Sequence, residues 1–106
     1  MAAVDPFEAL GDANRRAICG LLVDGARSVQ EIADALPISR PAVSRHLRLL
    51  KEARLVEDEP VGTRHLYRLR EEGVAQMRAY LESVWGDAAR RFQLAAENTS
   101  PRRRRR

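Results

Sequence analysis

Residues 39–56, SRPAVSRHLRLLKEARLV, constrain this chain more than any other stretch. Ser39 is a helix N-cap residue type, because its hydroxyl accepts from a first-turn N–H that has no partner within the helix. Pro41 falls in that first turn, where a missing N–H costs nothing. Val43, Leu47 and Leu50 then recur at i, i+4 and i+7, the spacing of one helical face. Arg40, Ser44, Arg45 and Arg48 are thereby turned the other way. A helix with this pattern buries one side and presents arginines on the other.

The segment before it predicts a second helix in close succession. Ser28 and Glu31 have the spacing of a capping box, and Val29, Ile32, Ala33 and Leu36 follow at helical intervals until Pro37 ends the run. Two helices joined by a tight turn at 37–39, the second carrying outward arginines, form the helix-turn-helix pattern. Further upstream, Asp5, Pro6 and Glu8 predict a short helix from residue 6 to Leu10, with Asp5 as N-cap and Glu8 as its reciprocal partner. Asp12 is the expected cap of the next helix, whose apolar stripe is Ala17, Ile18, Leu21 and Leu22 and whose stop is Gly25.

After Val56 the period changes from helical to alternating. Pro60 and Gly62 supply turn chemistry, and His65, Tyr67 and Leu69 alternate with Arg64, Leu66, Arg68 and Arg70. This predicts a β-hairpin with a basic outer face. Residues 72 to about 96 return to a helix in which Val74, Met77, Leu81, Val84 and Ala88 are spaced by three and four, flanked by Trp85 and Phe92. Such a seam needs another helix to cover it, and a second copy of the chain is the expected partner. The expected organisation is one domain, residues 5–96, mainly α with a β-hairpin wing, followed by a disordered Arg-rich tail, 97–106.

With 106 residues, 44% of them hydrophobic and only 5% aromatic, the core must be built from aliphatic side chains on amphipathic helices. The net charge of +4 is unevenly placed. Residues 1–36 carry three basic and six acidic side chains, residues 37–70 eight and four, and Arg102 to Arg106 add five more positive charges. The local excess between 37 and 70 is therefore a better nucleic-acid signal than the total. Cys19, as the single cysteine, excludes an intramolecular disulfide and fits a reducing compartment. No apolar run reaches membrane-spanning length and the first residues lack signal-peptide character, so a cytoplasmic protein without membrane contact is expected.

An α-helix fits the DNA major groove, and outward arginines there donate to phosphates or pair with guanine O6 and N7. Ser39, Arg40, Ser44, Arg45 and Arg48 are the expected contacts of the helix, and Thr63 and Arg64 those of the hairpin tip. His46 lies beside Val43 and Leu50 on the helical wheel, so a packed structural histidine competes with a DNA contact at that position; His65 is ambiguous in the same way. Cys19 in an apolar helix reads as a small core residue, with a redox or ligand sensor as the alternative. Two other classes compete with a DNA-binding regulator. A protein-interaction winged helix would lose charge at its centre, against the basic faces here. An enzyme would need a phosphate loop, a metal triad or a nucleophile with its base, and none is present in sequence.

The stretches FEALGDANRRAICGLL, VQEIADALPISRPAVSRHLRLLKEARLV and GTRHLYRLR together resemble the ArsR-type family of winged helix-turn-helix repressors, over residues 7 to about 92. The resemblance implies that the helix starting at Ser39 enters the major groove, that the hairpin is the wing, and that the first and last helices make a homodimer interface. The implied interface residues are Phe7, Leu10, Val74, Met77, Leu81, Val84, Trp85 and Ala88. Metal-sensing members carry Cys-x-Cys where this chain has Ser28 and Gln30, and others place histidines on the last helix, which has none here. No metal cofactor is expected, and the small-molecule effector is left open: a regulator without one competes with one whose ligand enters at the dimer interface. Arg54 stands where relatives usually place a glycine to end the recognition helix, at a cost of about 1 kcal/mol if it takes left-handed geometry.

Overall fold

The computed structural model describes residues 4–99, which fall into two units, residues 4–75 and residues 76–99. The element order is α1 (Pro6–Ala9), α2 (Ala13–Leu22), β1 (Arg27–Ser28), α3 (Val29–Ala35), α4 (Arg40–Glu52), β2 (Val56–Val61), β3 (Arg64–Leu69) and α5 (Glu71–Thr99).

The first unit holds the core. Ile18, Ile32, Val43, Leu47, Leu50 and Val56 are fully buried, joined by Ala9, Leu22, Ala53 and Leu55. Helix α4 sends Val43, Leu47 and Leu50 inward as a set, whereas α2 buries Ile18 and Leu22 of its expected stripe, leaving Leu21 half-buried and Ala17 exposed at the edge of the face. The caps that start these helices are largely those expected. Asp12 Oδ2 accepts from Arg15 N at 3.1 Å. Ser28 Oγ accepts from Glu31 N while Glu31 Oε1 accepts from Ser28 N at 2.8 Å, a complete capping box. Ser39 Oγ accepts from Ala42 N at 3.3 Å, with Pro41 in the first turn. Asp5 differs: it occupies the N-cap position of α1 without making a side-chain cap bond, because a four-residue helix beginning at proline leaves few N–H groups to satisfy.

The sheet has three strands in the order β1-β3-β2, both pairings antiparallel. Strand β1, which sequence reasoning did not anticipate, is two residues long and pairs Arg27 with Tyr67 and Ser28 with Leu66. The hairpin turn is Gly62-Thr63, with Gly62 at φ 64°, a conformation glycine adopts without steric cost. Pro60 is not part of the turn. It sits within β2 opposite His65, tolerated there because β2 is an edge strand.

Helix α4 ends in a left-handed residue, and that residue is Arg54, at φ 64°. The chain therefore keeps the helix stop that a glycine usually makes, with a side chain in place of the hydrogen. In the second unit, α5 continues to Thr99 and is laced by Arg78–Glu82 and Arg90–Asp87 ion pairs. The helix thus runs beyond residue 96, where the tail was expected to begin; residues 100–106 lie outside the described residues. No described helix is long and apolar enough to cross a membrane.

Candidate nucleic-acid interface

The outward face of α4 is arranged as its period requires. Arg40, Ser44, Arg45 and Arg48 are all exposed, on the side opposite Val43, Leu47 and Leu50. Ser39 is exposed at the start of the helix, its hydroxyl engaged as the cap. Thr63 and Arg64 are exposed at the hairpin tip.

His46 belongs to another surface. It is half-buried, on the inward side of α4, with Nδ1 3.4 Å from the Arg15 guanidinium and 4.0 Å from Asp12 Oδ2. Arg15 in turn donates through Nε to the Ala9 carbonyl at 2.6 Å. His46 therefore ties the recognition helix to the α1–α2 junction, and the structure does not bring it together with the arginines. The Asp12 carboxyl is held below its ordinary value, first by the Arg15 backbone N–H and then by the charges of Arg15 and His46.

The basic outer face expected of the hairpin is the main correction. Strand register places Glu57 opposite Arg68 and Glu59 opposite Leu66. Arg68 pairs with both Glu57 and Glu59, and Arg70 pairs with Glu57 and with Glu72, at 3.8 and 2.5 Å. On the other face of the hairpin, Asp58 accepts from Lys51 Nζ at 2.7 Å and lies 2.8 Å from His65 Nδ1. The acidic run Glu57-Asp58-Glu59 thus neutralises the cations of the wing body. Arg40, Arg45, Arg48, Arg54 and Arg64 make no ion pair among the described residues. The eight basic side chains of residues 37–70 are therefore sorted into three held by the wing and five that make no ion pair among the described residues, four on α4 and its end and one, Arg64, at the hairpin tip, whose charge is felt by Glu31. The signal was available in the sequence as an acidic triplet facing alternating arginines across a two-residue turn.

The two positions at which metal-sensing relatives carry thiolates do other work here. Ser28 is buried and completes the capping box, and Gln30 Nε2 donates to Asp34 Oδ1 at 2.6 Å. Among the described residues no group of three or more His, Cys, Asp or Glu is placed to hold a metal ion. Cys19 is half-buried and burial pushes its thiol above the ordinary value, which disfavours the reactive thiolate.

The expected interface residues are present on the surface to different degrees. In the first unit Phe7 and Val74 are exposed and Leu10 is half-buried; in the second, Leu81, Val84, Trp85 and Ala88 are exposed and Met77 is half-buried. Phe92, at 76% exposure, extends the same α5 stripe.

Comparison with known proteins places this arrangement. A helix-turn-helix domain family matches residues 10–59. The HTH-type transcriptional regulator Rv2034 of Mycobacterium tuberculosis is 51% identical over 74% of this chain and 74% of its own length. The transcriptional repressor SdpR of Bacillus subtilis is 39% identical over 53% of this chain, and the match spans 62% of SdpR, less than two thirds of that protein. Among solved structures, a possible transcriptional regulator for arsenical resistance superposes with a TM-score of 0.73 at 39% identity, covering 87% of this chain and 96% of the other. An ArsR-like regulator from Rhodococcus sp. RHA1 gives 0.71 at 30% identity over 88% of each chain. The chain belongs to the ArsR-type family of winged helix-turn-helix transcriptional regulators.

Proposed function

We propose that this protein is a homodimeric repressor that binds an inverted-repeat operator in duplex DNA. Each subunit lays the exposed face of α4 in the major groove and sets the wing tip on the adjacent backbone. The observation that carries the reading is the sorting of charge: Arg40, Arg45, Arg48 and Arg64 are left unpaired where a DNA-binding surface needs them, while cations elsewhere on the wing are neutralised. Unpaired arginines on a helix of groove-fitting width suit both phosphate contact and paired hydrogen bonds to guanine. Two such helices related by a dimer axis would read two symmetric half-sites.

Two further points support the reading. The exposed α5 stripe of Leu81, Val84, Trp85 and Ala88 is apolar surface that a second copy would cover, and a solved relative is described as a homodimeric winged helix-turn-helix DNA-binding domain. Ser28 and Gln30 are committed to helix capping and to Asp34, so the signal that releases the operator, if there is one, does not act through a metal at those positions. A chromosome-binding protein of this kind works in the cytoplasm and performs no catalysis. Gel-shift titration of DNA from upstream of the protein's own gene tests the proposal. A discrete complex that survives excess unrelated duplex is expected; binding no tighter than to unrelated duplex contradicts it.

A further inference from the structure

The acidic strand β2 poses a question that DNA binding by itself does not answer. A surface that approaches phosphates gains nothing from Glu57, Asp58 and Glu59, since each carboxylate repels the backbone. Glu57 and Glu59 meet Arg68 on one face of the hairpin. Asp58 is different in three respects. It points to the opposite face, its side chain is only 11% exposed, and it joins three elements at once. Its Oδ1 takes Lys51 Nζ at 2.7 Å from the last turn of α4, and its Oδ2 lies 2.8 Å from His65 Nδ1 on β3. Tyr67, its partner across the ladder, lies close enough that its hydroxyl feels the charges of both Asp58 and Lys51.

We propose that Asp58 is a positioning residue for DNA recognition: by bridging Lys51 of α4 and His65 of β3 it fixes the wing against the recognition helix, so that Arg64 and the arginines of α4 meet one DNA surface together. The connection between α4 and β2 is short, Ala53 to Leu55, and turns at the left-handed Arg54. The hairpin then projects to Gly62 as a two-stranded extension beyond β1, which pairs only with Tyr67 and Leu66. From the Pro60–His65 row outward the hairpin has no third strand beside it. Asp58 stands level with β1 through Tyr67, at the base of this extension, and its contact with His65 reaches into the extension itself. With the bond to Lys51 it ties that base to α4 midway along β2, where small rotations are magnified at the tip.

The inference rests on the proposed DNA-binding function and yields an expectation opposite in sign to simple electrostatics. Asp58→Asn removes a negative charge from the face. Charge alone would tighten binding to every duplex, whereas loss of position weakens binding to the operator and leaves or raises affinity for any other sequence. The probe is a duplex selected by the wild-type protein from a randomised pool, measured against a scrambled duplex of the same composition. The ratio of the two affinities is expected to fall roughly tenfold in Asp58→Asn, the scale of one lost base contact. The same fall is expected in Lys51→Met, and the double variant Lys51→Met/Asp58→Asn should fall no further than either single change, because both remove one bridge. Asp58→Glu, which keeps the charge, should recover part of the ratio. Circular dichroism accompanies each variant, and Lys51→Met, an exposed position, keeps the test open if Asp58→Asn loses its fold. An unchanged or increased ratio in folded Asp58→Asn or Lys51→Met, or additive losses in the double variant, overturns the positioning role. A wild-type protein that selects no duplex from the pool overturns the DNA-binding function itself, and the two failures are thereby distinct.

Discussion

The guanidinium of Arg70 donates to the backbone carbonyl of Arg54 at 2.8 Å, across the point where α4 ends in a left-handed turn. Arg70 N also donates to the Leu55 carbonyl at 2.8 Å, so the exit of the wing is fastened to the exit of the recognition helix. Gly73, in the first turn of α5, completes this junction. A Cβ at Gly73 would lie 2.3 Å from the Arg54 carbonyl oxygen, a distance no carbon tolerates.

Gly73→Ala is therefore expected to destabilise the protein by about 1–3 kcal/mol, the usual cost of overpacking against immobile backbone. Arg54→Gly acts in the other direction, relieving up to about 1 kcal/mol of left-handed strain, less the entropy that glycine adds to the unfolded chain. Urea denaturation checks both. A neutral Gly73→Ala would show that the α5 start does not press on Arg54.

Sorting of the cations predicts that arginines of equal charge differ in function. Arg45→Ala should weaken operator binding by about 1–3 kcal/mol and relax preference at particular bases if it reads an edge. Arg64→Ala should weaken binding across all sequences and lower the slope of log K against log salt by about one. Arg68→Ala should leave base preference and the salt slope unchanged and weaken binding less than Arg64→Ala, because Arg68 is committed to Glu57 and Glu59 and its loss acts only by uncovering their charge. Salt-dependent titrations of the three variants separate the cases, and a loss in Arg68→Ala as large as that in Arg64→Ala would contradict the sorting.

The Lys51–Asp58 bridge carries a pH signature at both extremes. Hydrogen bonding from Lys51 and then from His65 holds the Asp58 carboxyl below its ordinary 3.8, so the stability it contributes is complete above 3.8 and is lost as pH falls through the lower folded value. The same bond to Asp58 holds Lys51 above its ordinary 10.5, so its contribution is complete below 10.5 and is lost as pH rises through the higher folded value. The stability difference between wild type and Asp58→Asn should accordingly shrink as pH falls below 3.8. A difference in urea titrations that persists undiminished at low pH would show that the Asp58 carboxylate does not stabilise the fold through this bridge.

Much of this architecture was legible in the sequence because it is written in local rules. Ser28 with Glu31, Asp12 and Ser39 each cap within three residues of themselves, and the Val43, Leu47 and Leu50 period needs no distant partner to be read. What was not legible depends on pairing across the chain. Strand β1 is two residues long and exists because Arg27 and Ser28 find Tyr67 and Leu66. Counting charge by segment credited Arg68 and Arg70 to a basic wing, whereas the register that sets Glu57 against Arg68 cancels them. His46 was ambiguous on the wheel until the position of Arg15 and Asp12 gave it neighbours.

A charge placed in the α5 seam tests the dimer. Leu81, 44% exposed, would lie near its own copy across a two-fold axis, so Leu81→Glu would set two like charges in apolar surroundings at a cost of several kcal/mol. The resulting monomer keeps α4 but engages one half-site, and the loss of tethering lowers apparent affinity by about 10²- to 10⁴-fold. Analytical ultracentrifugation with gel shifts checks this. A folded Leu81→Glu dimer with unchanged affinity would assign the interface to another surface.

The central claim is that two copies of the α4 face read a symmetric site. Selection of bound duplexes from a randomised pool, sequenced for wild type, Arg40→Ala and Arg45→Ala side by side, tests it most directly. The wild-type protein should enrich an inverted repeat whose half-site centres lie about one helical turn, 10–10.5 base pairs, or a multiple apart. At least one arginine variant should lose preference at matching positions in both half-sites. Enrichment of no sequence, or of an inverted repeat that both variants read as wild type does, would contradict the assignment of α4 as the reading element.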